Sequence, residues 1–204
     1  VQSISEMADI HYIRQRDPLG LGHAISVSRQ HVGSEPFAVL LGDDIMVDDS
    51  KLLQAMLEVY DRYGRSVVAV LEVAREDIKN YGCVTPEIME ENLVRVRSIV
   101  EKPKPEDAPS NLAVIGRYVF TPEIFDALDR ITPGAGGELQ LTDAISLLLE
   151  TQTVFGYSFE TGRYDIGKKI DFLRATVELA LDRPDLGDEF KAFLADLVQR
   201  RKIV

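Results

Sequence analysis

A continuous apolar run at 37–41 (F-A-V-L-L) and a second buried-strand segment at 67–73 flank an amphipathic stretch at 50–63, and this order constrains the chain more than any other feature. Runs that do not alternate are expected of strands buried on both faces. Between them Leu52, Leu53, Met56, Leu57 and Tyr60 share one helical stripe, with Asp49 or Ser50 placed to cap it. Strand, helix, strand is the grammar of an open α/β sheet. Before this unit, 10–14 reads as a short strand, Pro18-Leu19-Gly20-Leu21-Gly22 as a turn, and 23–31 as a helix.

The middle of the chain changes character. Residues 81–84 and 93–100 read as two strands, with the acidic 87–91 and Asn92 as the turn, and 111–121 as a third strand. Thr121-Pro122-Glu123 opens a short helix with proline at an early position. A glycine-rich loop at 132–137 leads into a helix over 139–150, then a strand over 154–160. Helices over 168–181 and 188–201 close the chain. In the last, Phe190, Phe193, Leu194, Leu197 and Val198 form a stripe that suits core packing or an oligomer contact. The reading is one domain over 1–204, with C-terminal helices from about 168 to 201.

Charge narrows the function. The 204 residues carry a net charge of -11, and no basic stripe exists to track a phosphate backbone, so no nucleic acid or anionic membrane is expected as partner. No apolar run reaches the length of a membrane span. The single cysteine, Cys83, excludes an internal disulfide and fits a reducing, cytoplasmic setting. His11, His23 and His31 show no zinc spacing.

Several short motifs could carry chemistry. Leu40-Leu41-Gly42-Asp43-Asp44 ends a strand in carboxylates, at the sheet edge where open α/β folds bind ligands. Such carboxylates suit Mg2+, and they serve equally well as caps of the next turn. Gly20 and Gly22 open a helix and let a flat ligand or a tight turn approach the backbone. Glu101 and Lys102 put a carboxylate beside an ammonium at a strand end. Gly82 leaves room for a ligand or another backbone. Asp165, in Tyr164-Asp165-Ile166-Gly167, reads as a metal ligand or as the N-cap of the following helix.

In order, P-L-G-L-G-H-A, L-L-G-D-D, Y-G-C-V, V-E-K-P, A-P-S-N-L-A-V-I-G-R-Y-V, G-G-E-L-Q-L-T-D-A and Y-D-I-G resemble the bacterial UTP–glucose-1-phosphate uridylyltransferases, from residue 1 to about 191. The resemblance implies a Rossmann-like, open, mixed and mainly parallel sheet with helices on both faces. It also implies transfer of a uridylyl group from UTP to glucose 1-phosphate, giving UDP-glucose and pyrophosphate. By it Gly20 lies against the uracil, Asp43 and Asp165 hold Mg2+, Gly82 and Glu101 meet glucose hydroxyls, and Lys102 holds the sugar phosphate. Glu138 and Gln140 support the sugar side, and Asp44 and Tyr118 stand behind the site. Asp43 and Lys102 are the expected catalytic pair, and a homo-oligomer is the expected assembly. The family's G-x-G-T-R loop and following P-K motif belong before residue 1 and are not in these residues. The first strand is thus expected to be missing, and the 204 residues alone are expected to be inactive. Rival readings are a sister enzyme using dTTP, a metal-dependent glycosyltransferase, and a module that binds UDP-glucose without turnover.

Overall fold

The computed structural model describes residues 7–47 and 50–202. In chain order the elements are α1 (Leu21–Ser26), α2 (Arg29–Val32), β1 (Phe37–Leu40), β2 (Asp44–Met46), α3 (Lys51–Tyr63), β3 (Val67–Glu72), β4 (Gly82–Glu90), β5 (Leu93–Glu101) and β6 (Leu112–Phe120). There follow α4 (Ile124–Leu128), α5 (Leu141–Leu148), β7 (Val154–Ser158), β8 (Arg163–Asp165), α6 (Lys169–Leu181) and α7 (Gly187–Arg201). The chain divides into two compact units. The larger takes the residues up to Val39 together with Lys51–Glu160, and the smaller takes Leu40–Ser50 and the residues from Thr161 onward.

The larger unit is built on a six-stranded mixed sheet of order β1-β6-β3-β7-β5-β4. β3 runs parallel to β7 and antiparallel to β6, while β5 is antiparallel to β4 and β7. The antiparallel part comes from the middle of the chain, where strand follows strand with only a turn between. Val67, Val68, Ala69 and Val70 of β3 are all fully buried, so both faces of this strand are covered. That is why its apolar run does not alternate. Ile115, Val119 and Phe120 of β6 and Ile145 and Leu148 of α5 complete this core. Phe37 of β1 stacks on Phe125 of α4 with ring centroids 5.1 Å apart. The smaller unit pairs β2 antiparallel to β8 and carries α6 and α7.

Five local expectations need correction. Residues 10–14 form no strand. They have no partner strand among the described residues, and Ile10 and Tyr12 are exposed. The helix over 23–31 is two short helices, because Ser26 and Ser28 turn their hydroxyls back onto the carbonyls of His23 and Ile25 and compete with the helical ladder. β1 lies at the end of the strand order, so its residues alternate between half-buried and exposed instead of being covered on both faces. The stripe of α3 runs through Leu52, Met56 and Val59, and Leu57 is exposed. The acidic 87–91 segment is strand as far as Glu90, with Glu87 ion-paired to Arg95 and Arg97 across the ladder. Asp49, an expected cap of α3, and its neighbour Asp48 lie outside the described residues.

Candidate active site

In the larger unit, the register of β4 on β5 sets Gly82 opposite Glu101. An extended strand sends adjacent side chains to opposite faces, which would part Glu101 from Lys102. The backbone avoids this by turning left-handed at Lys102, with φ of 43°. Its N–H donates to the carbonyl of Tyr81 at 3.0 Å. Its Nζ returns to 3.3 Å from Glu101 Oε1. The other oxygen of Glu101, Oε2, accepts a 2.6 Å hydrogen bond from the hydroxyl of Thr142 in the first turn of α5. The carboxylate is therefore held at both ends.

Gly82 is a glycine for reasons of space. A Cβ there would stand 3.0 Å from Thr142 Oγ1 and 3.5 Å from Glu101 Oε2. Beside Thr142, burial and then the Glu101 carboxylate push the carboxyl of Asp143 above the usual aspartate range. Thr142 and Asp143 did not stand out singly in the sequence. Their signal is positional: Leu141, Ala144 and Ile145 take the buried face of α5, which leaves the Thr-Asp pair on another.

The turn at Leu19–Gly22 is stitched to the Glu138 segment. Leu139 N–H donates to Leu19 O at 2.7 Å, and Gly22 N–H donates to Leu139 O at 2.9 Å. Gly20 has φ of 97°, and a Cβ on it would meet Glu138 Cβ at 2.8 Å. The position therefore demands glycine through conformation and packing alike. Gln15, which no motif had marked, donates from Nε2 to the Gly20 carbonyl at 3.2 Å and also reaches His23 Nδ1 at 2.9 Å. Gln140 Nε2 donates to Glu138 Oε2 at 3.4 Å on an exposed surface. Tyr118 is buried and stacks on Phe120, and Cys83 is buried with its thiol on the Ser110 carbonyl.

The smaller unit gathers the other acidic residues. The register pairs Asp44 with Asp165, and Ile166 N–H donates to Asp43 O at 2.8 Å, fixing the turn that holds Asp43. A Cβ placed on Gly167 would lie 3.2 Å from Asp165 Oδ1 and 3.6 Å from Asp43 Oδ2, so both oxygens border one small volume. Hard carboxylate oxygens so arranged fit a divalent cation that completes its shell with water and phosphate oxygens. Among the described residues no group of three or more His, Cys, Asp or Glu side chains forms a candidate site. No helix among them is long and apolar enough to cross a membrane.

The chain belongs to the nucleotidyl transferase family, whose model matches residues 1–181. More closely, its relatives are UTP–glucose-1-phosphate uridylyltransferases. That of Staphylococcus epidermidis is 48% identical over 197 residues, covering 97% of this chain and 68% of the relative. That of Bacillus subtilis is 46% identical over 203 residues, covering 100% and 70%. Among solved structures, a UDP-glucose pyrophosphorylase complexed with UDP-glucose matches with a TM-score of 0.85 at 40% identity. That match covers 89% of this chain and 70% of the other. A UTP-bound enzyme of the same name from Acinetobacter baumannii matches with a TM-score of 0.81 at 38% identity, covering 91% and 65%.

Proposed function

We propose that the protein transfers the uridylyl group of UTP to glucose 1-phosphate, and that Glu101 and Lys102 hold the sugar phosphate. The observation that carries this reading is the left-handed turn at Lys102, which sets an ammonium and a carboxylate side by side where a plain strand would part them. Glu101 is a hydrogen-bond acceptor for sugar hydroxyls, and Lys102 is a point charge for the phosphate. Gly82 contributes an open backbone on the same side, with Glu138 and Gln140 as polar supports. Gly20, held by Gln15, offers its peptide to the uracil.

In the reaction an oxygen of the glucose 1-phosphate phosphate attacks the α-phosphorus of UTP. The bond from that phosphorus to the bridging oxygen of the β-phosphate breaks, and pyrophosphate carries the electron pair away. No covalent enzyme intermediate forms. The protein's work is to fix the attacking oxygen in line and to offset charge. Lys102 does both for the incoming phosphate. Asp43 and Asp165 would hold a divalent cation, Mg2+, which supplies charge neutralisation to phosphate oxygens when bound.

Pyrophosphate-dependent cleavage of UDP-glucose, compared with dTDP-glucose and assayed with a segment carrying the family's G-x-G-T-R loop supplied, tests the reading. Preference for UDP-glucose is expected. Equal or better use of the thymidine compound would transfer the function to the sister enzyme. Binding of UDP-glucose with no pyrophosphate-dependent cleavage would reduce it to a binding module.

A further inference from the structure

The two oxygens of Asp165 face different neighbours. Oδ1 borders the volume beside Gly167 and Asp43. Oδ2 faces two cations, Arg163 Nη2 and Lys168 Nζ, each at 3.5 Å. Arg163 is itself held on its other side, where Nε donates to Asp44 Oδ1 at 2.5 Å. This pair is largely removed from water, with side chains 12% and 7% exposed, whereas Lys168 is 44% exposed. Charges withdrawn from solvent interact more strongly than exposed ones, so Arg163 outweighs Lys168 as the group that sets the carboxylate. A guanidinium holds two carboxylates with donors fixed in one rigid plane, whereas an ammonium is a point charge on a flexible stem.

We infer that Arg163 is a positioning residue for the metal ligand Asp165. Anchored on buried Asp44, it turns Oδ2 of Asp165 toward itself and so presents Oδ1 to the volume shared with Asp43. The inference rests on the reading of Asp43 and Asp165 as metal ligands. A second partner of this sort changes metal affinity by about 10–100-fold when it is lost. Removing Arg163 alone would strand the Asp44 carboxylate in a buried position and endanger folding. Two variants avoid that. Arg163→Lys keeps a cation beside Asp44 but lacks the rigid fork that fixes Asp165 at the same time. The double variant Asp44→Leu/Arg163→Met removes both members of the buried pair together.

The measurement is Mn2+ binding to the whole protein, followed by the loss of the free-ion electron paramagnetic resonance signal, with circular dichroism and Tm recorded on each sample. Asp43→Ala serves as the reference for a lost ligand. The expected result is binding by the wild type, its loss in Asp43→Ala, and at least roughly tenfold weaker binding in both Arg163 variants that retain the native spectrum. If Asp43→Ala loses the ion while both Arg163 variants bind it as the wild type does, Arg163 only ties β2 to β8 and the inference fails. If Asp43→Ala binds Mn2+ as tightly as the wild type, the ligand reading fails, and the inference with it.

Discussion

A single methyl group at Gly82 should disable the sugar side of the site. In Gly82→Ala the new Cβ would stand 3.0 Å from Thr142 Oγ1, closer than side chains ordinarily pack, and 3.5 Å from Glu101 Oε2. Either the surroundings absorb the strain, at about 1–3 kcal/mol of stability for an overpacked site, or the threonine hydroxyl withdraws. In the second case Glu101 loses a hydrogen bond to a charged acceptor, worth about 1.5–3 kcal/mol. Because that hydrogen bond is only 2.6 Å long and part-buried, a shift of a few tenths of an ångström at Thr142 already weakens it. Taking ~2 kcal/mol, UDP-glucose affinity should fall roughly thirtyfold. Calorimetric titration with UDP-glucose reads the affinity, and Tm reads the strain. Thr142→Ala removes the atom that Cβ would strike, so adding Gly82→Ala to it should cost little more. The two effects should therefore be non-additive by about 1 kcal/mol or more. Strict additivity, or wild-type Kd and Tm in Gly82→Ala, would refute the steric account.

Other outcomes follow from the same geometry. Lys102→Gly should relieve a left-handed conformation costing about 1 kcal/mol or more in a residue with a side chain, yet lose the ammonium. Tm should hold or rise while affinity for glucose 1-phosphate drops, and retained affinity would remove Lys102 from the phosphate. With the G-x-G-T-R segment supplied, Asp43→Ala should lower kcat by roughly 10²–10³-fold, since a bound cation stabilises developing charge by several kcal/mol, and near-normal turnover in Mg2+ would end its assignment. Asp143 gives a pH test. Its carboxyl is raised in the folded state, so between the ordinary aspartate pKa and the raised one the folded protein binds more protons than the unfolded chain. Stability should therefore fall as pH rises through that window, and Asp143→Asn should flatten this part of the profile in urea titrations at a series of pH values. An unchanged slope would count against the raised carboxyl.

How much was legible in the sequence depends on which physical rule governed each segment. β3 was readable because a strand covered on both faces must be apolar throughout, and Val67 to Val70 are. β1 misled, since Phe-Ala-Val-Leu has the same look but alternates half-buried with exposed residues. No pattern of hydropathy encodes strand order. The 10–14 segment shows the same limit from the other side, because a run of strand-like residues forms no strand without a partner. The small strands β2 and β8 escaped notice because Asp44–Met46 and Arg163–Asp165 carry charges instead of an apolar run. Their pairing is held by the Arg163–Asp44 contact, between residues 119 apart. For the site, the ordered motifs named the residues, while the contacts that orient them came only from the structure. Gln15 on the Gly20 carbonyl and Thr142 on Glu101 are partners from other segments, and nothing local marks them.

The two clusters also meet the problem of an acidic protein that binds phosphates. With a net charge of -11, any phosphate approaches against an unfavourable overall field. In the larger unit the opposing charge is supplied locally. Lys102 stands against Glu101, Thr142 takes the other carboxylate oxygen, and Asp143 has a carboxyl biased toward the neutral form. A phosphate arriving at Lys102 therefore meets a Glu101 carboxylate that is already balanced. In the smaller unit Arg163 and Lys168 balance Asp44 and one oxygen of Asp165, and oxygens of Asp43 and Asp165 border one small volume beside Gly167. Each cluster thus spends its own cations on its own carboxylates. A phosphate ligand then adds to a locally balanced group, where a carboxylate left without its cation would have repelled it.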